Sequence, residues 1–259
     1  MSRLVLVAAL SLSVLACGPA PTTTPTPTSI ASVTEGALTV ELLSINPLAV
    51  GATQLFYKVT KDGAAVTQAH LDQHPLMTMP AMKHSCPQSN PAHDANADGF
   101  FVGTVVFNMP SSAMDTWDLD LDVMPHGSTE EATVSFKALA VADSQAKQMV
   151  MLNGKSTLVT LTFPNGGPKV GKNTYVVSVH QAADMSKMTW APVTDLTLTG
   201  TPEMPSMGHG SSDNVNPTHT VDGLYSGTVN FSMAGDWVIH LDFLSGDTSL
   251  AKADYSFNL

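Results

Sequence analysis

The sequence predicts an all-β protein in which two immunoglobulin-like β-sandwich domains stand in tandem behind an export signal and a flexible tether. Three observations carry this. Short β-branched or alternating runs recur, bounded by Gly, Pro, Asn and Asp, as at 53–60, 102–109, 117–123 and 132–139. No segment sustains a 3.6-residue apolar period with caps, so helices are not expected. The chain also repeats itself at an offset near 120–126 residues, and about seven short strands per 100 residues is the strand density of an immunoglobulin-like sandwich.

From the N-terminus, residues 1–16 read as a signal peptide: Arg3 supplies positive charge, and 4–16 form an apolar core too short to span a bilayer. Val14-Leu15-Ala16-Cys17-Gly18 resembles the bacterial lipobox, which implies lipidation of Cys17 and anchoring to a membrane through that lipid. Gly18, where Asp would favour inner-membrane retention, points to the outer membrane, facing the periplasm or the cell surface. Residues 17–35 are then the lipidated cysteine and its tether, because 18–33 hold four prolines and almost nothing apolar.

The repeat divides the remainder into a first domain over 36–139 and a second over 150–259, with Ala140–Met149 between. Leu38-Thr39-Val40 matches Leu158-Val159-Thr160, and Val50-Gly51 matches Val170-Gly171. Gly103/Gly227, Phe107/Phe231, Trp117/Trp237, Leu121-Asp122/Leu241-Asp242 and Ser135-Phe136/Ser256-Phe257 follow in the same order. Asp118-Leu-Asp-Leu-Asp-Val123 alternates strictly, giving one wet and one packed face. Trp117 and Trp237 are expected in the cores.

Lys and Arg number 11 against 22 Asp and Glu, a formal charge of −11. Nucleic acid is excluded as a partner, because phosphate binding needs clustered cations. With Cys17 lipidated, the only other cysteine, Cys86, has no intramolecular partner, so no disulfide is expected to stabilise the fold.

The most informative stretch occurs twice: Met79-Pro80-Ala81-Met82-Lys83-His84 and Met204-Pro205-Ser206-Met207-Gly208-His209. Each copy leads to a second histidine, His93 or His219, and then to a strand-like run ending in Met109 or Met233. The proline in each copy places the phrase in a loop or edge strand. In an extended segment Met82 and His84, or Met207 and His209, point to the same side, and His93 with Met109 is expected to close the site. Thioether and imidazole together are the ligand set of a soft metal, above all Cu(I), while the imidazoles alone suit Cu(II). The blander account is that methionine fills gaps in cores and histidine sits on surfaces; retention of Met, Met, His, His and Met in both copies favours metal.

The spacing Met-x-x-Met-x-His, with Tyr-x-Gly-x-Val-x-Phe-x-Met and Gly-x-Trp in the second half, resembles the YtkA-like domains, which are related to FixH and resemble CopC-type copper proteins. The resemblance covers mainly 76–123 and 202–243. It implies an extracytoplasmic cupredoxin- or immunoglobulin-like sandwich that handles copper. The first copy departs from the pattern: Phe101 stands where the second has Tyr225, and eight residues, Met109–Thr116, precede Trp117 where the second copy has four.

Several other groups have to be weighed. Cys86, two residues beyond His84, would tighten Cu(I) binding as a thiolate or is an incidental thiol. Met77 and His74 extend the soft cluster in the first copy only, His74 reading better as a solvated loop residue. Asp94-Ala-Asn-Ala-Asp-Gly99 begins like a calcium loop, but the twelfth position is Val105 and no helices flank it, so an Asp-Gly turn before a strand fits better. His240 reads as exposed, and His70, His126 and His180 have no duplicate and are assigned no role. There is no nucleophile elbow, phosphate loop, His-Glu-x-x-His or blue-copper Cys-His signature, so no enzyme is expected. The expected function is copper buffering, resistance or delivery, with a copper donor or acceptor protein as partner. The rival is a metal-free immunoglobulin-like interaction or adhesion module; a calcium-stabilised adhesive domain is the weaker third.

Overall fold

The computed structural model describes residues 25–129, 131–144, 146–184 and 189–259. The signal peptide, the lipobox cysteine Cys17 and the proximal tether therefore lie outside the described residues. The first domain contains β1 (Thr28–Glu35), β2 (Leu38–Ser44), β3 (Gly51–Lys61), β4 (Ala64–Ala65), β5 (Ala69–Thr78), β6 (Lys83–Ser85), β7 (Gln88–Ser89), β8 (Phe101–Phe107), β9 (Thr116–Pro125) and β10 (Ala132–Leu139). The second contains β11 (Lys147–Leu152), β12 (Lys155–Thr162), β13 (Gly171–Asp184), β14 (Thr189–Pro192), β15 (Thr197–Met204), β16 (His209–Gly210), β17 (Val215–Val221), β18 (Leu224–Phe231), β19 (Asp236–Ser245) and β20 (Thr248–Asn258).

Each domain is a sandwich of two antiparallel sheets. In the first, β1-β2-β3-β8-β7 faces β10-β9-β5-β6; in the second, β11-β12-β13-β18-β17 faces β16-β15-β19-β20. No helix occurs among the described residues. The period-2 pattern sets the faces: along β9, Trp117, Leu119, Leu121 and Val123 are buried while the intervening Asp118, Asp120 and Asp122 face outward. Trp117 and Trp237 are fully buried, as their spacing predicts.

Two boundaries differ from the sequence reading. Residues 28–35, expected in the tether, form β1, which pairs along β2 from Glu35↔Leu38 to Thr28↔Ser44. The four prolines of the tether all precede Thr28, and beyond them Ala31 and Val33 pack on the core. Averaging composition over 18–33 concealed this short alternation. The expected spacer 140–149 likewise ends in strand: β11 pairs with β12 across an Asn153-Gly154 turn. Both turn residues are left-handed, φ 49° and 74°, as a two-residue type I′ hairpin requires. The start of the spacer is strapped to the first domain by Val50 N–H to the Ala142 carbonyl at 3.0 Å and Ala142 N–H to the Leu48 carbonyl at 2.9 Å.

The domains also touch. Val106 of β8 packs with Leu158 and Leu224 of the second domain, with Ala52, Val176 and Trp190 around them. Asn46 donates to the carbonyls of Phe163 and Pro164 at 3.3 and 3.1 Å, and Trp190 donates its indole N–H to the Ser85 carbonyl at 3.4 Å.

Candidate metal centre

The repeated phrase forms a hairpin that hangs its histidine on the sandwich edge. In the first domain Met79 N–H bonds the Met82 carbonyl at 3.0 Å, closing the turn between β5 and β6. β6 then pairs with β5 so that His84 lies opposite Met77. Directly opposed residues share a sheet face, and Met77, fully buried, defines that face as the inner one. His84, on a short edge strand, is left half-buried at the rim of the core. Its Nε2 lies 3.0 Å from Met82 Sδ, so thioether and imidazole meet as the spacing predicts. Met79 and Met109 pack partly buried against the same core.

The second domain repeats this with a loop of equal length, 205–208 against 79–82, but one strand pair fewer between loop and histidine. Met204 carbonyl accepts from Met207 N–H at 3.1 Å and Gly208 N–H at 2.9 Å, and Met204 faces His209 across β15–β16. The His209 ring meets Trp237 edge-on at 5.9 Å between centroids. Its Nδ1 donates to the Gly210 carbonyl at 2.8 Å; a carbonyl only accepts, so Nε2 is left with the lone pair a metal needs. Gly208 is left-handed, φ 63°, which breaks the extended geometry that would align Met207 with His209. Met207 therefore stands exposed in the turn, and Met233, four residues before Trp237, is exposed as well.

Pairing register corrects the match between the copies. Sequence comparison sets Met204 against Met79, yet it is Met77 that faces His84 as Met204 faces His209. Pro75↔Leu119 and Pro202↔Ile239 confirm the same frame. Met77 and Met204 are thus the equivalent buried methionines, and the first hairpin is two residues longer. Met204 is a core residue whose Cε would lie 2.1 Å from any Cβ at Gly235.

Met109 and Met233 lie two residues past the ends of β8 and β18 rather than within them. Each is fixed by the core tryptophan: Trp117 Nε1 donates to the Met109 carbonyl and Trp237 Nε1 to the Met233 carbonyl, both at 2.9 Å. The tryptophans thus hold the methionine loops over the end of the sandwich where the hairpin histidines sit.

The second histidines do not join them. His93 carbonyl accepts from Ala69 N–H at 2.9 Å, at the start of β5, whereas Met77 lies near its other end. Eight residues of strand at about 3.3 Å each separate the two, roughly 26 Å. His219 pairs with Tyr225 at the start of β18, its ring 5.3 Å from the tyrosine ring, while Met233 lies beyond the far end of that strand. The residues after each hairpin run the length of the domain along β8 or β18 instead of folding back, so His93 and His219 belong to the opposite pole.

Cys86 is also displaced. It is buried in the first core, and burial pushes its thiol pKa well above the usual range; a neutral, enclosed thiol is a poor ligand for a metal entering from solvent. His74 is a strand residue, its Nε2 3.1 Å from Asp122. The Asp94–Gly99 segment is an Asx turn, with Asn96 Oδ1 accepting from Asp98 N–H and Phe100 N–H. His240 is exposed, between Asp254 at 2.8 Å and Glu203 at 3.2 Å. His180 is buried, its Nε2 3.0 Å from the Asp222 carbonyl, and Nδ1 has no partner; burial pushes its pKa down to about 4. Among the described residues no three His, Cys, Asp or Glu side chains gather as a metal-binding group, so any metal centre here depends on thioethers.

The profile of the YtkA-like family matches residues 33–112 and again 152–242, more than half of the chain. The chain belongs to the YtkA-like family. One match lies in each sandwich, the first ending between β8 and β9 and the second within β19, and each contains the hairpin and the methionine that follows β8 or β18. No curated protein matches the chain. Solved structures with similar regions include the Escherichia coli adhesin FdeC (18% identity, 88% of this chain and 65% of that one, TM-score 0.29). A DUF4785 family protein from Legionella pneumophila (10%, 86% and 56%, 0.29) and the D0-D1 domain of intimin (16%, 88% and 100%, 0.23) also match. The chain thus spans about two thirds or less of the first two.

Proposed function

We propose that this YtkA-like protein binds copper outside the cytoplasm, as Cu(I), through one Met/His rim in each domain, and serves copper buffering, resistance or delivery rather than catalysis. The observation that carries it is the duplicated rim: a half-buried edge histidine opposite a core methionine, with further methionines in the hairpin and in the tryptophan-held loop. In the first domain the donors are His84, Met82, Met79 and Met109. In the second they are His209, Met207 and Met233, with Met204 beneath. Neutral imidazole and thioether suit Cu(I), and weak thioether bonds can be replaced one at a time by an acceptor protein's ligands, so that cargo moves without release of free ion. Lipid attachment at Cys17 would keep this exchange at a membrane surface.

X-ray absorption of the Cu(I)-loaded chain tests the reading. Mixed sulfur and nitrogen scatterers are expected at each copper, with about one sulfur fewer per copper in a Met82→Leu, Met207→Leu chain. A nitrogen-and-oxygen-only shell would contradict it.

A further inference from the structure

At the opposite pole of the first domain, His70 Nδ1 and His93 Nε2 lie 3.0 Å apart, their rings nearly perpendicular at 83°. His70 Nε2 is 2.9 Å from Asp72 Oδ2. An ionised carboxylate only accepts, so Nε2 carries the proton and Nδ1 presents its lone pair toward His93. This is the carboxylate–histidine arrangement that orients metal-ligating imidazoles in other proteins. Asp72 is itself held by Asn90 Nδ2, and Asn90 Oδ1 accepts from Gln73 N–H at 3.0 Å, which pins the segment leading to His93 against β5. Metal–nitrogen bonds of about 2.0–2.1 Å set two imidazole donors on one ion about 3 Å apart, the separation already present.

The third donor lies across the strand pair. Met124 is the direct partner of His70 between β9 and β5, so the two side chains share a face. Met124 is partly exposed and lines one open cleft with His70, His93, Asp94 and His126.

The second domain is an internal control. The pair Thr197↔Leu244 stands where the first domain has His70↔Met124, and Asn216 Oδ1 accepts from Gly200 N–H as Asn90 does from Gln73. His219 matches His93 in sequence but pairs with Tyr225 on β18, whereas the His93 carbonyl bonds Ala69 on β5. The asparagine clamp and the strand pair are common to both domains; the donor set exists only in the first.

We infer that His70, His93 and Met124 form a further copper site, specific to the first domain and independent of the hairpin rims, with Asp72 orienting His70. On metal binding, the His93 ring proton passes through solvent from Nε2 to Nδ1, so that both imidazoles stay neutral and the ion occupies the space between the two freed lone pairs.

The full chain carrying Met82→Leu, His84→Ala, Met207→Leu and His209→Ala removes donors of both rims and serves as the background. Titrated with Cu(II), it is expected to bind one ion whose paramagnetic resonance spectrum shows coupling to two imidazole nitrogens. Adding His93→Asn should weaken binding at least tenfold, whereas His219→Asn should leave it unchanged. Both residues are exposed, so folding is retained and is checked by circular dichroism. Met124→Leu should weaken Cu(I) at least tenfold and Cu(II) less. Absence of the bound ion, absence of nitrogen coupling, or equal losses from His93→Asn and His219→Asn would overturn the inference. Failure of the rim reading alone would leave these results as predicted.

Discussion

His180 and Cys86 show how burial decides what a reactive side chain does here. His180 sits almost wholly enclosed, with its pKa lowered to about 4 by desolvation. Between that value and its ordinary value near 6.5, the unfolded chain binds a proton that the folded chain does not. Stability is therefore fully present above about pH 6.5 and falls as pH drops toward 4, by about 3 kcal/mol in total. Denaturation midpoints across this range should show the fall in the natural chain, and His180→Gln should flatten that part of the profile; identical profiles would contradict the assignment. Cys86, buried and raised in pKa, should react with a thiol reagent only on unfolding, many-fold slower than a free thiol. Rapid modification of the native chain would place it nearer the rim than the structure does. Adjacency to His84 in sequence suggested a ligand; the inner face of the sandwich makes it core.

The hairpin is the element on which the site depends, and its register was the part least visible in the sequence. Meeting of Met82 with His84 was legible from their two-residue spacing, as were the strand runs and the alternation of β9. The equivalence of Met77 with Met204 was not, because one extra strand pair, Thr78↔Lys83, shifts the matching methionine while leaving the motif intact. The pole occupied by His93 and His219 was equally hidden: eight or nine intervening residues can loop back or run the length of a strand, and only sheet pairing decides. His70 went unassigned for the same reason, since its partner Met124 is distant in sequence and adjacent only through β5–β9 pairing. Comparing the copies at Thr197 and Leu244 would have exposed it. The loop that closes the second rim offers a direct check. Gly235 has φ 144° and Met204 Cε fills the space of its missing side chain, so Gly235→Ala should destabilise the second domain by about 1–3 kcal/mol in chemical denaturation. An unchanged midpoint would show that Met204 is not seated beneath the loop.

At the scale of the molecule, duplication explains why a chain of −11 formal charge with so few cations carries two matching soft-donor rims. Each sandwich supplies the same frame: an inner methionine, an edge histidine and a tryptophan that holds a methionine loop. On the proposed function, two family-matched units on one chain double the copper capacity without a new fold. Titration of the metal-free chain with Cu(I) against a competing chelator, beside a chain carrying Met82→Leu, His84→Ala, Met207→Leu and His209→Ala, tests this most directly. The natural chain should hold two more ions than the variant, each with sub-micromolar or tighter affinity, a binding free energy of about −8 kcal/mol or more. Equal stoichiometry in the two chains would contradict the rims as copper sites.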